Sequence, residues 1–226
     1  MFAGQISRLM DKHALTVTRT AHYYRIGHPG PQVHNLVLAC HGYGQAAERF
    51  IRKFEGIVDE RTLVLAPEGL SRFYWGGFDG EVVASWMTRG DRLDEIADYS
   101  RYLTQLLDLY LPQCAPDAQL ILLGFSQGCA TIMRWAVRAQ PDARHLVFWA
   151  GSIPEDIDYT PLQDYLSHRQ LHTFIGDQDP FLTPKLVAQH DAMLREKGLS
   201  VHHHPFSGKH TIVREVLHQW YAQVKK

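Results

Sequence analysis

The chain has 226 residues, 45% of them hydrophobic, which is enough to fill one sizeable core. We therefore expect a single domain over residues 1–226. The 23 Lys and Arg residues nearly balance the 24 Asp and Glu residues, so no overall field would draw the chain toward nucleic acid or an anionic membrane. This balance favours a small neutral or mixed-charge molecule as the partner.

The cysteines are few and odd in number. Cys40, Cys114 and Cys129 have no CxxC spacing, which fits neither a disulfide scaffold nor a zinc ribbon. Residues 1–8 lack the apolar run of a signal peptide, and no later segment is long and apolar enough to span a bilayer. We expect a cytoplasmic protein without a membrane span, and the sequence leaves its oligomeric state open.

Short strand-like runs alternate with helical stretches along the chain. Residues 14–26, rich in Thr, Val and Tyr, predict a hairpin or an edge strand. The strand-like runs that follow are 35–40, 62–67, 119–124, 145–150, 171–176 and 200–204. This alternation predicts an α/β fold with a mostly parallel central sheet and helices on both faces.

Four helices are predicted between these strands. The strongest pattern covers residues 91–111, where apolar residues recur at spacings of three and four. The other predicted helices are 127–140, 183–196 and 212–226. Residues 68–90, dense in Gly and aromatics, are expected to form one long functional loop. Too little chain remains between the core elements to build a separate lid domain.

The segment Gly124-Phe125-Ser126-Gln127-Gly128 has the GxSxG pattern of a nucleophile elbow. It follows an apolar strand-like run and precedes a helical stretch, the context that this motif requires. Glycines two residues before and after the serine permit a sharp turn that leaves the hydroxyl exposed. We therefore predict that Ser126 is a catalytic nucleophile.

A serine nucleophile needs a base and an acid that orients the base. In this type of fold they follow in the order serine, acid, histidine. Asp177 and Asp179 both follow the strand-like run 171–176, and spacing alone does not separate them, although we favour Asp179. Among the 14 histidines, His210 is selected as the base because it lies between the last strand and the last helix.

The transition state of acyl transfer carries an oxyanion that backbone N–H groups can bind. One donor is expected from Gln127, immediately after the nucleophile. The other is expected from the loop after an earlier strand, where the Tyr43 N–H is the candidate.

Together these motifs resemble the phospholipase/carboxylesterase family of α/β-hydrolases, which includes acyl-protein thioesterases and small bacterial carboxylesterases. The matching segments are His41-Gly42-Tyr43-Gly44, Gly124-Phe125-Ser126-Gln127-Gly128, Gly176-Asp177-Gln178-Asp179-Pro180 and Gly208-Lys209-His210. In that family the acid precedes the proline, so the resemblance favours Asp179. It likewise implies nucleophile, base and oxyanion roles for Ser126, His210, Tyr43 and Gln127. The chain departs from the family's usual Trp-Phe-Asp segment at residues 73–79 and 84–89.

The resemblance implies a serine hydrolase that cleaves carboxylic esters with short or medium acyl groups through an acyl-enzyme. The mechanism requires no metal and no organic cofactor. Trp75 and Trp86 are candidates for lining the acyl pocket. The alternatives are an acyl-protein or other thioesterase, a lysophospholipase and a hydrolase-like ligand-binding module without catalysis.

Two rival interpretations are weaker. Residues 42–47 fit the dinucleotide pattern GxGxxA, but no acidic residue ends the next strand as a dinucleotide site requires. In a strand, His202 and His204 would share a face, but a zinc site needs further ligands at matching positions. Exposed histidines on an edge strand are the better interpretation, and a small buried side chain is the better one for Cys129.

Overall fold

A computed structural model describes residues 10–226 of the chain. The expectation about a signal peptide falls on residues 1–8 and lies outside the described residues. The strands are β1 (Tyr23–Ile26), β2 (Asn35–Cys40), β3 (Thr62–Pro67), β4 (Ser71–Trp75), β5 (Glu81–Ser85), β6 (Gln119–Phe125), β7 (Ala143–Trp149), β8 (Gln170–Gly176) and β9 (Val201–Phe206). Seven of them form one sheet in the order β1-β3-β2-β6-β7-β8-β9, in which only β1 is antiparallel to its neighbour.

Helices cover both faces of this sheet. They are α1 (Ala47–Phe50), α2 (Arg92–Tyr110), α3 (Gln127–Ala139), α4 (Gln163–Ser167), α5 (Pro184–Glu196) and α6 (Arg214–Val224), with 3-10 helices at Ile51–Ile57, Leu111–Gln113 and Thr160–Leu162. One core lies between the sheet and α2, α3 and α5, and the other lies between the sheet and α1, Ile51–Ile57 and α6.

After their first residue, strands β2, β3 and β6 are apolar because both of their faces are buried. In β2, Leu36 and Leu38 belong to one core, while Val37 and Ala39 belong to the other. Alternate side chains of a strand point to opposite faces, so a strand between two helical layers favours apolar residues at successive positions and not only at alternate ones. The predicted mostly parallel sheet with helices on both faces is confirmed.

Element boundaries agree closely where this pattern is strong. The strands predicted at 35–40 and 62–67 have those bounds, and the helix predicted at 91–111 is α2 followed by a short 3-10 helix. Within residues 14–26 only Tyr23–Ile26 forms a strand, so the prediction of an edge strand is confirmed and that of a hairpin is wrong. Tyr23–Ile26 pairs with β3, whereas residues 14–22 have no strand partner among the described residues.

Residues 68–90 were expected to form one long loop, which is wrong. They contain the antiparallel hairpin of β4 and β5, in which Ser71 pairs with Ser85 and Trp75 with Glu81. Gly76 and Gly77 turn the hairpin with φ of 84° and 116°, which glycine adopts without steric cost. Within the part of the chain that the structure describes, no helix is long and apolar enough to cross a membrane.

Candidate active site

The sequence motifs meet at one edge of the sheet. Strands β2, β6, β8 and β9 run parallel, so their carboxyl ends lie along the same edge. The residues that follow these ends are His41, Ser126, Asp177 and Ser207, and each begins a loop that carries one of the predicted motifs.

Ser126 lies in a sharp turn between β6 and α3. Its φ of 52° and ψ of −115° form a conformation that non-glycine residues rarely adopt. Such strain costs on the order of 1 to 3 kcal/mol and persists only where the surroundings fix it. Here the Ser126 N–H donates to the carbonyl of Trp149 at 2.9 Å, and the Ser126 carbonyl accepts from the Cys129 N–H at 3.0 Å.

Glycines are required around this turn because backbone approaches backbone. A Cβ at Gly124 would lie 2.3 Å from the carbonyl oxygen of Gly128, and one at Gly128 would lie 2.2 Å from that of Cys40. Neither backbone oxygen can move aside without disrupting the first turn of α3 or the end of β2. Both glycines of the GxSxG pattern are therefore explained by the local packing, and Cys129 is buried as predicted.

His210 and Asp179 come together although 31 residues separate them. The His210 Nδ1 lies 2.7 Å from Asp179 Oδ2, in a pair where the carboxylate side chain is fully buried and the imidazole is 19% exposed. The other carboxylate oxygen of Asp179 accepts from the backbone N–H groups of Phe181 at 2.8 Å and Leu182 at 3.3 Å. The hydrogen bond to the carboxylate places the proton of a neutral His210 on Nδ1 and leaves Nε2 with a lone pair.

The His210 ring lies beside the elbow. Its centroid is 5.0 Å from that of Phe125, the residue before Ser126, and 4.7 Å from that of the exposed Phe181. Among the described residues no hydrogen bond joins the Ser126 hydroxyl to His210. In structures without substrate such bonds are often long and shorten only when substrate binds.

Asp177 has a different environment from Asp179. It is exposed, and its Oδ1 accepts from the Gly208 N–H at 2.9 Å, which ties the loop after β8 to the loop after β9. It makes no hydrogen bond to a histidine within the described part of the chain. The geometry therefore separates the two acids that spacing left open.

In the loop after β2, the N–H groups on either side of Tyr43 both have acceptors. The Gly42 N–H donates to Gln45 Oε1 at 2.8 Å, and the Gly44 N–H donates to the Ala84 carbonyl at 3.0 Å. Between them, the Tyr43 N–H has no acceptor among residues 10–226. The same holds for the Gln127 N–H at the first position of α3, where a helix has no internal acceptor to offer.

His41 is buried beneath this loop. Its Nδ1–H donates to the Gly42 carbonyl at 2.7 Å, and its Nε2 accepts from the Gly69 N–H at 2.9 Å. Burial lowers the pKa of His41 from 6.5 to about 4, so the ring is neutral near neutral pH. One N–H and one lone pair are what these two partners need.

The two tryptophans predicted to line a pocket lie in different places. Trp75 is 53% exposed and packs against Tyr43, with ring centroids 5.8 Å apart. Trp86 is 1% exposed and lies in the core, where its indole N–H donates to the His41 carbonyl at 2.9 Å. Trp86 therefore lies behind the site, and Trp75 lies on its rim.

The histidines of β9 are less exposed than expected. His202 and His204 share a face as predicted, but His204 is only partly exposed. Its Nε2 lies 3.1 Å from His172 Nδ1, and His172 Nε2 lies 3.1 Å from His145 Nδ1. We call His145, His172 and His204 the histidine row. Over residues 10–226 no group of three or more His, Cys, Asp or Glu has a geometry that could hold a metal ion.

Comparisons with known proteins bear on the family and the fold of this chain. The model of the Phospholipase/Carboxylesterase family matches residues 21–226. The chain belongs to this family. It is therefore an ester hydrolase of the esterase and thioesterase type, and the dinucleotide interpretation of residues 42–47 is set aside. None of the curated proteins compared with the chain matches it.

Solved structures show that the fold is that of α/β hydrolases. Acyl-protein thioesterase 2 from Zea mays superposes with a TM-score of 0.70 at 17% identity, over 91% of this chain and 98% of that chain. A carboxylesterase from Mesorhizobium loti gives 0.62 at 16% identity, over 86% and 90%. The Bacillus cereus carboxylesterase gives 0.63 at 14% identity, over 90% and 94%.

Sequence reasoning missed how much of this family member's site is held by side chains distant in sequence. The Gln127 side chain contacts the end of β5, and Trp86 contacts His41, both across about 40 residues or more. No spacing rule relates such pairs. The signal that the sequence does offer is the position of His41 directly after an apolar strand.

Proposed function

We propose that this family member hydrolyses carboxylic esters with short or medium acyl groups, with Ser126 as nucleophile, His210 as base and Asp179 as the acid that orients it. The observation that supports this most directly is the 2.7 Å contact between His210 Nδ1 and the buried Asp179 carboxylate, beside the strained turn at Ser126. A buried carboxylate with two backbone donors is a fixed anchor for an imidazole.

In the proposed mechanism the Ser126 oxygen attacks the acyl carbon while His210 Nε2 accepts the hydroxyl proton. The carbonyl oxygen becomes an oxyanion, which the N–H groups of Tyr43 and Gln127 bind. The bond from the acyl carbon to the alcohol or thiol then breaks, and His210 gives its proton to the leaving group. Water, deprotonated by His210, hydrolyses the acyl-enzyme and regenerates the serine.

The proposed acyl site is an apolar rim on the surface. Tyr43, Trp75 and Phe181 are each at least half exposed. They lie on the loop after β2, on the hairpin of β4 and β5, and beside His210, respectively. A rim of this kind covers the first few carbons of an acyl chain and leaves the rest in water. It therefore favours short and medium chains over long ones.

The test is turnover of p-nitrophenyl acetate and butyrate by Ser126→Ala. We expect kcat to fall by about 10⁴-fold or more, as for other serine hydrolases that lose the nucleophile. Thermal unfolding should show an intact fold, because alanine keeps the side-chain volume of the turn nearly unchanged. A variant that folds and keeps its activity contradicts the assignment of Ser126.

The substrate class needs a separate experiment. Ester and thioester pairs with the same acyl group, from two to sixteen carbons, separate an esterase from an acyl thioesterase, and lysophosphatidylcholine tests a lysophospholipase. We expect the highest kcat/KM for esters at the short end of the series. A fluorophosphonate probe that fails to label Ser126 would instead support a ligand-binding module.

A further inference from the structure

A short segment at the end of β5, residues 84–87, contacts the loop that carries Tyr43. The Ala84 carbonyl accepts from the Gly44 N–H at 3.0 Å, and the indole N–H of Trp86 donates to the His41 carbonyl at 2.9 Å. These hydrogen bonds fix the backbone on both sides of the proposed donor. Ala84 and Trp86 are buried, so water has little access to these two hydrogen bonds.

The same segment contacts the elbow through one side chain. Gln127 Oε1 accepts from the Trp86 N–H at 3.0 Å and from the Ser85 hydroxyl at 3.3 Å. Gln127 Nε2 donates to the Met87 carbonyl at 2.8 Å. Both ends of the amide are used, so its orientation is defined by its partners.

The orientation of the Tyr43 N–H is fixed by a third contact. The Gly42 carbonyl and the Tyr43 N–H belong to one planar trans peptide, in which they point in opposite directions. His41 Nδ1–H holds that carbonyl at 2.7 Å from within the core. The Tyr43 N–H must therefore point away from the core.

We infer that Gln127, through its side chain, and Trp86 are positioning residues, which hold the N–H groups of Tyr43 and Gln127 in a fixed relation before substrate binds. This inference rests on the proposed function. Oxyanion donors act well only when no reorganisation is needed during the reaction. A displacement of about 1 Å in such a group can cost about 10²-fold in rate.

The first variant is Gln127→Met, which removes all of these side-chain hydrogen bonds and keeps the backbone N–H and nearly the same length. We expect kcat for p-nitrophenyl butyrate to fall about 10- to 100-fold while KM changes by less than about threefold. The loss belongs in kcat because the donors act on the transition state more than on the bound substrate.

The chain offers a matched control at the start of β6, the strand whose other end leads into the turn before Gln127. Gln119 begins β6, is buried, and donates to Asn35 Oδ1 at 2.7 Å and to the Val224 carbonyl at 2.8 Å. Gln119→Met should lower the unfolding temperature and leave kcat within about twofold of wild type. A fall in kcat equal to that of Gln127→Met would mean that general destabilisation is the cause, and would overturn the inference.

Gln127→Glu gives a signature that a merely structural role would not give. The introduced carboxylate can accept from Trp86 but repels the Met87 carbonyl, whereas its protonated form can donate there. The ratio of the kcat of this variant to that of wild type should rise as the pH falls from about 7 to about 5. A ratio independent of pH overturns the inference, and this measurement also carries the test if Gln127→Met does not fold.

Trp86→Phe removes the indole N–H and keeps an aromatic ring in the core. We expect a fall in kcat of about 3- to 10-fold, and the double variant with Gln127→Met should lose less than the product of the two single losses. Effects that multiply would mean that the two residues act independently, contrary to the inference.

Ser126→Ala separates the possible failures. If Ser126→Ala is inactive and Gln127→Met has the kcat of wild type, the positioning role is wrong and the proposed nucleophile stands. If Ser126→Ala keeps its activity, both are wrong.

Discussion

His210 and the histidine row lie near one another along the sheet, but they have different hydrogen-bond partners. His210, after the end of β9, is held by the carboxylate of Asp179 and is partly exposed. The histidine row crosses β7, β8 and β9, and its rings are held by one another under Trp220 of α6.

The partner decides what each ring can do. A histidine that donates to a carboxylate can take a second proton, because the carboxylate stabilises the imidazolium. A histidine that accepts from another histidine loses that hydrogen bond when it is protonated, since both nitrogens then carry a proton. The first environment suits a base, and the second suits a neutral part of the core.

The pKa values of the histidine row agree with a neutral role in the core. Burial lowers the pKa of His145 to about 4 and that of His172 to about 3, and it also lowers the pKa of His204. Neighbouring positive charge adds to the effect, from Arg144 and from the histidines within and next to the row. We expect all three rings to be neutral at neutral pH.

The largest difference should appear when the same substitution is made in both environments. His210→Gln removes the proposed base, and we expect kcat to fall by about 10⁴-fold with little change in stability. His172→Gln should leave kcat within about threefold of wild type. The measurement is p-nitrophenyl butyrate turnover beside urea unfolding, and comparable losses of kcat in the two variants would break the comparison.

The two acids of the loop after β8 allow a second comparison, between a carboxylate that contacts His210 and one that does not. Asp179→Asn should lower kcat by about 10³- to 10⁴-fold, because the amide no longer holds the Nδ1–H tautomer of His210. Asp177→Asn keeps an oxygen for the Gly208 N–H, so its kcat should stay within a few-fold of wild type. If Asp177→Asn is the inactive variant, the acid has been assigned to the wrong residue.

The row should make stability depend on pH. Its members have a lower pKa in the folded chain than the value of 6.5 for a free side chain, so the unfolded chain binds more protons. The contribution of the row to stability is complete above about pH 6.5 and is lost as the pH falls toward about 4. Between about pH 7 and about pH 5, His145 alone should contribute a loss on the order of 2 kcal/mol in the free energy of unfolding.

Urea unfolding at both pH values measures this loss. In His172→Gln the difference between the two pH values should be smaller, while the part due to the separately buried His41 remains. A difference that is unchanged by His172→Gln would mean that the row is not its source.

The smallest effect is expected at His202, which lies beside the histidine row but is not part of it. His202 stacks on His172 with centroids 5.2 Å apart, but it is exposed and makes no hydrogen bond within the described residues. His202→Asn should change the free energy of unfolding at neutral pH by less than about 0.5 kcal/mol. A larger loss, measured by urea unfolding, would place His202 inside the row.

The sequence predicts those features that are set by neighbours along the chain. Strands β2 and β3 are continuous apolar runs between two layers, and the turn at Ser126 needs its glycines within two residues. These constraints involve residues that are close along the chain, so the sequence pattern reveals them. The position of His210 followed from the order of motifs along the chain.

Features set by pairing across the sheet could not be predicted in this way. The hairpin of β4 and β5 depends on contacts with the loop after β2, including the pairing of Gln45 with Ala84. Trp86 is an aromatic residue of the kind that often lines pockets, but it lies in the core. The histidine row depends on the register of β8 and β9. His172 pairs with His202 and Phe174 pairs with His204, so His172 and His204 are diagonal neighbours across the two strands.

The backbone at Ser126 also bears on how the protein can change over time. Glycine would adopt φ 52° and ψ −115° without steric cost, so Ser126→Gly removes strain as well as the hydroxyl. Selection for folding alone would favour that exchange, whereas selection for turnover would oppose it if Ser126 is the nucleophile, as proposed. Under the proposed function, Ser126 therefore keeps a strained backbone that the chemistry requires and the fold alone does not.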